Sequence, residues 1–347
     1  MSETCTAHAA YVQSPDQISY RDTPLRAPGV GEILIDVLAC GICGYDLEIA
    51  GQLAADKPKA FGHEIVGLVR EVGPEVTHVA VGDEVALESG SFCGVCELCR
   101  NGRNDLCAKG RNFWSEPAMG FATAMITPAC AAVPTRGLDP YAAVLAEPCG
   151  VALDMVKVAE IGLTDRVLVV GTGAIGLMAL AIARRASCGP VVAANRSAGR
   201  LDMAHKLGAD AVIAFGEGSL AESGKPYGGF DKVLVTAPPC VIPDCLTACA
   251  YGGSVTFIGF DWGAEGNITL NTTAMHVGKK QLRASFASPA MYFPEALQLL
   301  RSGVVPAQQL VSHRFPLSKL AEAIQLIRTQ SEITHKVIII PDERFSA

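Results

Sequence analysis

The ten residues from Val167 to Gly176, VLVVGTGAIG, decide the reading of the fold. An apolar run ends in glycine, and Gly171, Gly173 and Gly176 fall in the spacing G-x-G-x-x-G just before a second apolar run that reads as a helix. Each glycine has its own reason at such a junction. Gly171 permits the tight turn, Gly173 lets backbone N–H groups approach a pyrophosphate, and Gly176 lets the helix pack closely on the strand. The helix N-terminus then faces the phosphate charge. Thr172, Ala174 and Ile175 complete the expected dinucleotide-binding loop.

The same rhythm continues outward. RVLVVG, PVVAAN, DAVIAF, KVLVTA and SVTFIG are short apolar runs ending in small-residue turns, with stretches of helical length between them, such as Ser197–Gly208. Alternating strands and helices predict a doubly wound parallel sheet of the Rossmann type over residues 151–287. Thr236, Ala237 and Gly259, at the ends of later strands, join the expected cofactor-binding set. At the end of the second strand, where a carboxylate would hold the ribose 2′-hydroxyl of NAD, the chain has Asn195, then Arg196, Ser197 and, one helical turn later, Arg200. Without a carboxylate there is no repulsion against a 2′-phosphate, and guanidinium groups bind phosphate well. NADP is therefore expected in preference to NAD. The alternative is that Arg196 stacks on adenine while NAD binds through Asn195.

The first 150 residues have a different texture. GEILIDVLAC, HEIVGLVREVG and VGDEVAL read as strands punctuated by turns, which predicts a β-rich domain. After residue 287 come two amphipathic helical segments, MYFPEALQLLRSG and PLSKLAEAIQLIRTQ, and a last strand, HKVIIIP. With no proline- or glycine-rich linker before it, this tail is expected to return and complete the first domain, giving 1–150 plus 288–347 around the dinucleotide domain. The chain of 347 residues is half hydrophobic and carries a formal charge of −7 without a basic block, which argues against a nucleic-acid partner. The segment VLVVGTGAIGLMALAIA is interrupted by three glycines and is not expected to span a membrane. Thirteen cysteines, without a basic-then-apolar leader at the N-terminus, point to a reducing compartment, the cytoplasm.

Four of those cysteines, Cys93, Cys96, Cys99 and Cys107, lie within fifteen residues. Four thiolates can close a tetrahedral shell around zinc and leave no open position, so this lobe is expected to hold a structural, non-catalytic zinc. The loop Asn101–Asp105 between the last two is too polar to pack as a core.

A second group is spread along the chain: Cys40 and Cys43 in CGICGYDLE, His63 and Glu64 in FGHEIVG, and Glu147 in LAEPCGVALD. Together with VGDEVAL, the four-cysteine lobe, GTGAIG and the late SFASPAMYFPEALQLLRSG, these motifs make the chain resemble the medium-chain zinc-dependent alcohol dehydrogenases. Within that family it resembles the sorbitol/polyol and threonine dehydrogenase branch most. The resemblance covers nearly the whole length. It implies a barrel-like catalytic domain, a Rossmann domain inserted into it, two zincs per chain and a homodimer or homotetramer. It further implies that Cys43 and His63 bind a catalytic zinc together with Glu64 or Glu147 and a water, and that an alcohol bound there gives up its proton readily and passes hydride to the nicotinamide. Asp46 matches the carboxylate that orients the zinc-bound histidine; its other reading is a helix N-terminal cap. His63 and Glu64 are adjacent and would point to opposite faces of a regular strand, so both reach one metal only if the strand is irregular at Gly62. Glu64 is taken as the ligand, and Glu147 as a near neighbour that can replace it.

The chain departs from the family two residues after Cys43, where a Ser or Thr usually passes the alcohol proton onward. Here the residue is Tyr45, and Glu48 stands where a histidine often ends the relay. Tyr45 and Glu48 form a rebuilt relay, or Tyr45 shapes the substrate site, or it packs while water carries the proton. Phe113 and Trp114 line an apolar wall or pack the cysteine lobe. The expected activity is reversible oxidation of a secondary alcohol, such as a polyol, sugar or amino alcohol, with NADP or NAD. The alternatives are a redox-neutral epimerase with bound nicotinamide and a non-catalytic nucleotide- and zinc-binding protein.

Overall fold

The computed structural model describes residues 5–52, 57–196, 198–215, 220–259 and 266–345. Ser197, expected beside the cofactor ribose, lies outside the described residues. The chain divides into two compact units, one formed by Met1–Glu147 and Ser288–Ala347 and the other by Pro148–Ala287.

The second unit is built on a six-stranded, wholly parallel sheet. Its order is Ala211–Ala214, Val191–Asn195, Val167–Val170, Phe230–Val235, Cys249–Phe257 and Gln281–Ala284. In chain order this is 3-2-1-4-5-6, the doubly wound arrangement, with the direction of winding reversing between Val167–Val170 and Phe230–Val235. Strands buried on both faces should read as unbroken apolar runs, and every residue of Val167–Val170 is buried. The apolar segment that follows is the helix Ala174–Ala186. Among the described residues no helix is long and apolar enough to cross a membrane.

The first unit is β-rich. A seven-stranded sheet runs in the order Val311–Pro316, Lys336–Ile340, Glu32–Gly41, Glu64–Val72, Glu84–Leu87 and Ala132–Pro134, with Ala124–Pro128 also pairing to Glu32–Gly41. A three-stranded sheet, Gln17–Leu25, Cys5–Ser14 and Lys59–Ala60, accompanies it. The C-terminal segment returns to this unit through backbone pairing: Ile338 and Ile339 lie opposite Gly41 and Cys40, and the Ile42 N–H donates to the Val337 carbonyl at 2.9 Å. One apolar core joins Ile33, Ile35, Phe61, Phe113, Phe121 and Met125 to Leu320, Ile324 and Ile339 from the returning segment. That return delivers the start of the last strand to the residues around Cys43.

Candidate metal centre and cofactor loop

Cys43 sits at the junction where the strand Glu32–Gly41 gives way to the helix Gly44–Gln52. The helix start is held by Asp46, in its first turn, whose Oδ2 accepts the Cys43 backbone N–H at 2.9 Å. This is the reach-back half of a capping box. The other oxygen accepts the Gly62 N–H at 3.2 Å and lies 3.5 Å from His63 Nδ1, long for a hydrogen bond but close enough for charge. Asp46 meets the cap reading, and its Oδ1 stands near the imidazole that the other reading has it orient. It caps the helix carrying Cys43 and anchors the turn carrying His63.

That turn depends on Gly62. Its φ of +90° is in the glycine region, and an added Cβ would come within 2.8–2.9 Å of Phe121 side-chain and backbone atoms. The strand proper starts only at Glu64, so His63 precedes the regular alternation and can face the same way as its neighbour. Cys43, His63 and Glu64 each offer a donor atom within 4.8 Å of the others. Glu147 is not in that cluster; it lies at the start of the helix Ala146–Ala159, and its Oε1 accepts a hydrogen bond from the Ser89 hydroxyl at 2.9 Å.

The centre is dominated by anions. Burial works against a charged imidazole, yet Asp46 and Cys43 hold His63 well above its ordinary pKa. Burial also raises the Glu147 carboxyl. One cation was not foreseen from sequence. Lys336, the first residue of the last strand, donates from Nζ to both Glu64 oxygens at 2.6 Å and to the Ile42 carbonyl at 3.1 Å. Burial disfavours its charge, but Glu64 and Cys43 together keep its pKa above the ordinary value. Its signal in the sequence was a lysine leading into an otherwise apolar strand, KVIII.

An aromatic wall flanks His63. The Trp114 ring lies 5.1 Å from the imidazole, its Nε1–H donating to the Ser89 carbonyl at 2.8 Å, and the Tyr45 ring meets Trp114 edge-on at 6.0 Å and His63 at 6.3 Å. Phe113 is fully buried in the core of the unit, so the two adjacent aromatics take separate roles. Glu48 lies three residues after Tyr45 on the same helix face, half-buried. Cys40 is buried in its strand with its thiol pKa pushed well up by burial.

The sulfurs of Cys93, Cys96, Cys99 and Cys107 cluster at separations of 3.5 Å for Cys96–Cys99, 3.5 Å for Cys107–Cys93 and 3.9 Å for Cys96–Cys107. A tetrahedral zinc with bonds near 2.3 Å sets its sulfurs about 3.8 Å apart, so these spacings fit a metal shell and are far too long for disulfides. Backbone N–H groups of Cys93 and Cys96 point at the Cys107 and Cys93 sulfurs, and backbone hydrogen bonds from Val95 and Cys96 pull the Cys93 pKa down to about 6.

In the second unit the glycine-rich loop has the geometry its glycines require. Gly171 has φ +97° and packs against Thr236 and Ala237, the Thr236 hydroxyl donating to the Gly171 carbonyl at 2.9 Å. A Cβ on Gly176 would run into the Gly171 carbonyl oxygen. Gly173 is the N-cap of the helix, Ala174 and Ile175 form its first turn, and the buried Thr172 hydroxyl has no hydrogen-bond partner. Asn195 ends its strand, and Arg200 reaches back so that its guanidinium would lie 3.7 Å from a Cβ on Gly173. Arg196 is exposed, with Nη2 3.5 Å from Cys240 Sγ, and Gly259 is exposed with φ +126°.

A doubly wound sheet with this loop in one unit, and in the β-rich other unit a Cys–His–carboxylate cluster whose His63 and Glu64 are buried, define a class: a dinucleotide-dependent, metal-centred dehydrogenase. Comparison with known proteins sharpens it. Residues 29–137 match the alcohol dehydrogenase GroES-like domain family and residues 174–302 the zinc-binding dehydrogenase family. A sorbitol dehydrogenase of Arabidopsis thaliana is 30% identical, across 85% of this chain and 85% of its own. An L-threonine 3-dehydrogenase of Saccharopolyspora erythraea is 30% identical, across 88% of this chain and 91% of its own. A solved structure from Sinorhizobium meliloti 1021, described as a candidate zinc-binding dehydrogenase bound to NADP, superposes with a TM-score of 0.87 at 27% identity, covering 97% of this chain and 100% of that one. The chain belongs to the medium-chain zinc-dependent alcohol dehydrogenase family and is an NAD(P)-dependent alcohol oxidoreductase.

Proposed function

We propose that the chain reversibly oxidises a secondary alcohol of the polyol, sugar or amino-alcohol type to its ketone, with a zinc held by Cys43, His63 and a carboxylate. The observation that carries this reading is the convergence of the Cys43, His63 and Glu64 donor atoms within 4.8 Å in an anion-rich site. The donor set fits zinc, which takes one thiolate, one imidazole and an oxygen ligand and keeps a position for water or substrate. Zinc supplies Lewis acidity there, making an alcohol hydroxyl more acidic, while the dinucleotide takes the hydride.

The protein's own residues do the rest. Asp46 fixes the Cys43 helix and the His63 turn. Trp114 and Tyr45 close one side of His63 against water and give a carbon-bearing substrate an apolar face. Tyr45 and Glu48 carry the proton outward in this reading, and Tyr45 is long enough to replace a smaller hydroxyl. Gly171, Thr172, Gly173, Ala174, Ile175 and Gly176 cradle the pyrophosphate, and Arg200 and Arg196 favour the 2′-phosphate of NADP. The four-cysteine lobe holds the second, structural zinc. Cytoplasmic placement rests on the cysteine-rich composition. Assembly as a homodimer or homotetramer rests on the family and on the strand Gln281–Ala284, the edge of the six-stranded sheet among the described residues, beside which Phe286 is 65% exposed.

The test is a panel of polyols, sugars and amino alcohols followed at the nicotinamide absorbance with NAD and NADP at equal concentration, with metal analysis of the same sample. Two zincs per chain and turnover of a secondary alcohol with NADP preferred are expected. No turnover across the panel at full metal loading would discard the catalytic reading, and a clear preference for NAD would discard the cofactor assignment.

A further inference from the structure

The strand Gln281–Ala284, at the edge of the six-stranded sheet among the described residues, pairs with Cys249–Phe257 on one side. A four-residue strand with one neighbour has few backbone bonds to hold its end in place. Side chains on one of its faces add support from the helix Ala146–Ala159. Arg283 donates from Nη1 to the Val158 carbonyl at 2.8 Å and to Glu160 Oε2 at 2.6 Å. Ser285, just past the carboxyl end of the strand, donates its hydroxyl to Asp154 Oδ2 at 2.6 Å, a usual length for a hydroxyl on a carboxylate. The spacings agree, since two residues of strand rise about 6.6 Å and four residues of helix about 6 Å. Arg283 and Ser285 therefore meet Val158 and Asp154 as two rungs. Asp154 and Ser285 are both buried, and the Ser285 N–H donates to the Phe257 carbonyl at 3.0 Å. Packing a helix on a strand needs no carboxylate, and an apolar side chain would do it without the cost of burying one. What the Asp154–Ser285 bond adds is a fixed direction for the strand end.

In a doubly wound sheet the ligand lies beyond the carboxyl ends of the strands, one mononucleotide over each half. With the pyrophosphate at the loop Gly171–Gly176 and the adenosine ribose at Asn195, the nicotinamide falls to the ends of Phe230–Val235, Cys249–Phe257 and Gln281–Ala284. Ser285 stands at the last of these. We propose that Asp154 is a positioning residue for hydride transfer: through Ser285 it holds the end of the edge strand as a fixed wall for the nicotinamide. This rests on the reading of Gly171–Gly176 as the pyrophosphate loop. The adenosine half of the cofactor is held by other strands and does not depend on the bond. A nicotinamide whose wall can shift loses its alignment, and a misplacement of about 1 Å costs about a hundredfold in rate.

The test uses the full-length protein and sets each reduced cofactor against its own adenosine fragment, NADPH against 2′-phospho-ADP-ribose and NADH against ADP-ribose. Affinities are measured by calorimetry, and kcat on a secondary alcohol that the wild type turns over, for Asp154→Ala, Asp154→Asn, Ser285→Ala and the double alanine variant. Asp154→Ala and Ser285→Ala should each weaken the reduced cofactor about tenfold and lower kcat about tenfold to a hundredfold, with the matching fragment bound within about twofold of wild type. Asp154→Asn keeps an oxygen to accept the hydroxyl and should recover both losses to within about threefold. The double variant should lose no more than either single one, because both remove the same bond. Cofactor and fragment weakened alike would mean that the bond supports the unit as a whole and would overturn the proposal. So would unchanged cofactor affinity in both single variants. Ser285→Ala decides the matter where Asp154→Ala fails to fold. A wild type that binds neither fragment would instead overturn the reading of the pyrophosphate loop, which tells the two failures apart.

Discussion

Asp46 Oδ1 stands 3.5 Å from Nδ1 of His63, while the other oxygen of the same carboxylate accepts the N–H of Cys43 at 2.9 Å. One side chain therefore ties together the two residues expected to hold the metal. Asp46→Ala removes both functions. It should cost about 1 kcal/mol as a lost helix cap and weaken metal retention about 10–100-fold as a lost support for the imidazole. Asp46→Asn keeps an acceptor for the Cys43 N–H and should restore most of the thermal stability but little of the retention. Melting curves and metal content after dialysis against a chelator separate the two effects. Equal retention in Asp46→Asn and wild type would leave Asp46 with the capping role alone.

The residues that could be read from sequence share one property: their meaning is local. The strand Val167–Val170, the turn at Gly171 and the helix from Ala174 follow from ten consecutive residues, and the cysteine lobe from fifteen. The irregularity at Gly62, needed for His63 and Glu64 to face one point, was likewise expected from two adjacent ligand types. Lys336 was not legible, because 272 residues separate it from Glu64 and only the pairing of the last strand with Glu32–Gly41 brings them together. The split between Phe113, buried in the core, and Trp114, turned to His63, was also hidden. Neighbouring aromatics look alike in sequence, and the Ser89 carbonyl that captures the indole N–H lies 25 residues away.

Gly176 tests the cofactor loop. A methyl there meets the Gly171 carbonyl oxygen, a backbone atom that cannot move without opening the turn. Gly176→Ala should cost about 1–3 kcal/mol by overpacking and weaken NADPH binding at least about tenfold as the phosphate-facing N–H groups shift. Fluorescence titration with NADPH measures it. Undiminished affinity would mean that the dinucleotide does not use this turn.

Arg200 lies over Gly173, whereas Arg196 is exposed beside Cys240. A charge-assisted hydrogen bond to phosphate is worth about 1.5–3 kcal/mol, so Arg200→Ala should weaken NADPH about tenfold to a hundredfold and leave NADH nearly unchanged. Parallel titrations with both reduced cofactors check it. An equal loss for the two would place Arg200 on the shared pyrophosphate, and the proposed preference for NADP would need another source.

The cysteine lobe should be separable from catalysis by its metal. Cys96→Ser breaks the shell of four sulfurs and should lower zinc from two to one per chain, with a melting temperature lower by roughly 5 °C. The visible spectrum of the cobalt form should lose its four-thiolate component and keep the one-thiolate component. Simultaneous loss of both components would show that the lobe supports the catalytic centre rather than a separate part of the fold.

Glu88 gives the stability of the first unit a pH dependence whose sign can be worked out. Its side chain is buried, and burial raises its carboxyl to about 7, partly offset by the hydrogen bond donated from the Ser91 hydroxyl at 2.6 Å. The folded state therefore binds the proton more tightly than the unfolded chain, whose carboxyl titrates near 4.5. The stabilisation is fully present below pH 4.5 and is lost as pH rises through about 7, a total of about 3 kcal/mol from this one group. Glu88→Gln stays neutral and should flatten that part of the profile, melting above the wild type at pH 8 and level with it or below near pH 5. Thermal melts in matched buffers across that range decide it. A wild type and Glu88→Gln with parallel profiles would mean that Glu88 is ionised in the fold across the whole range, which the burial of an acid beside a single hydroxyl donor argues against.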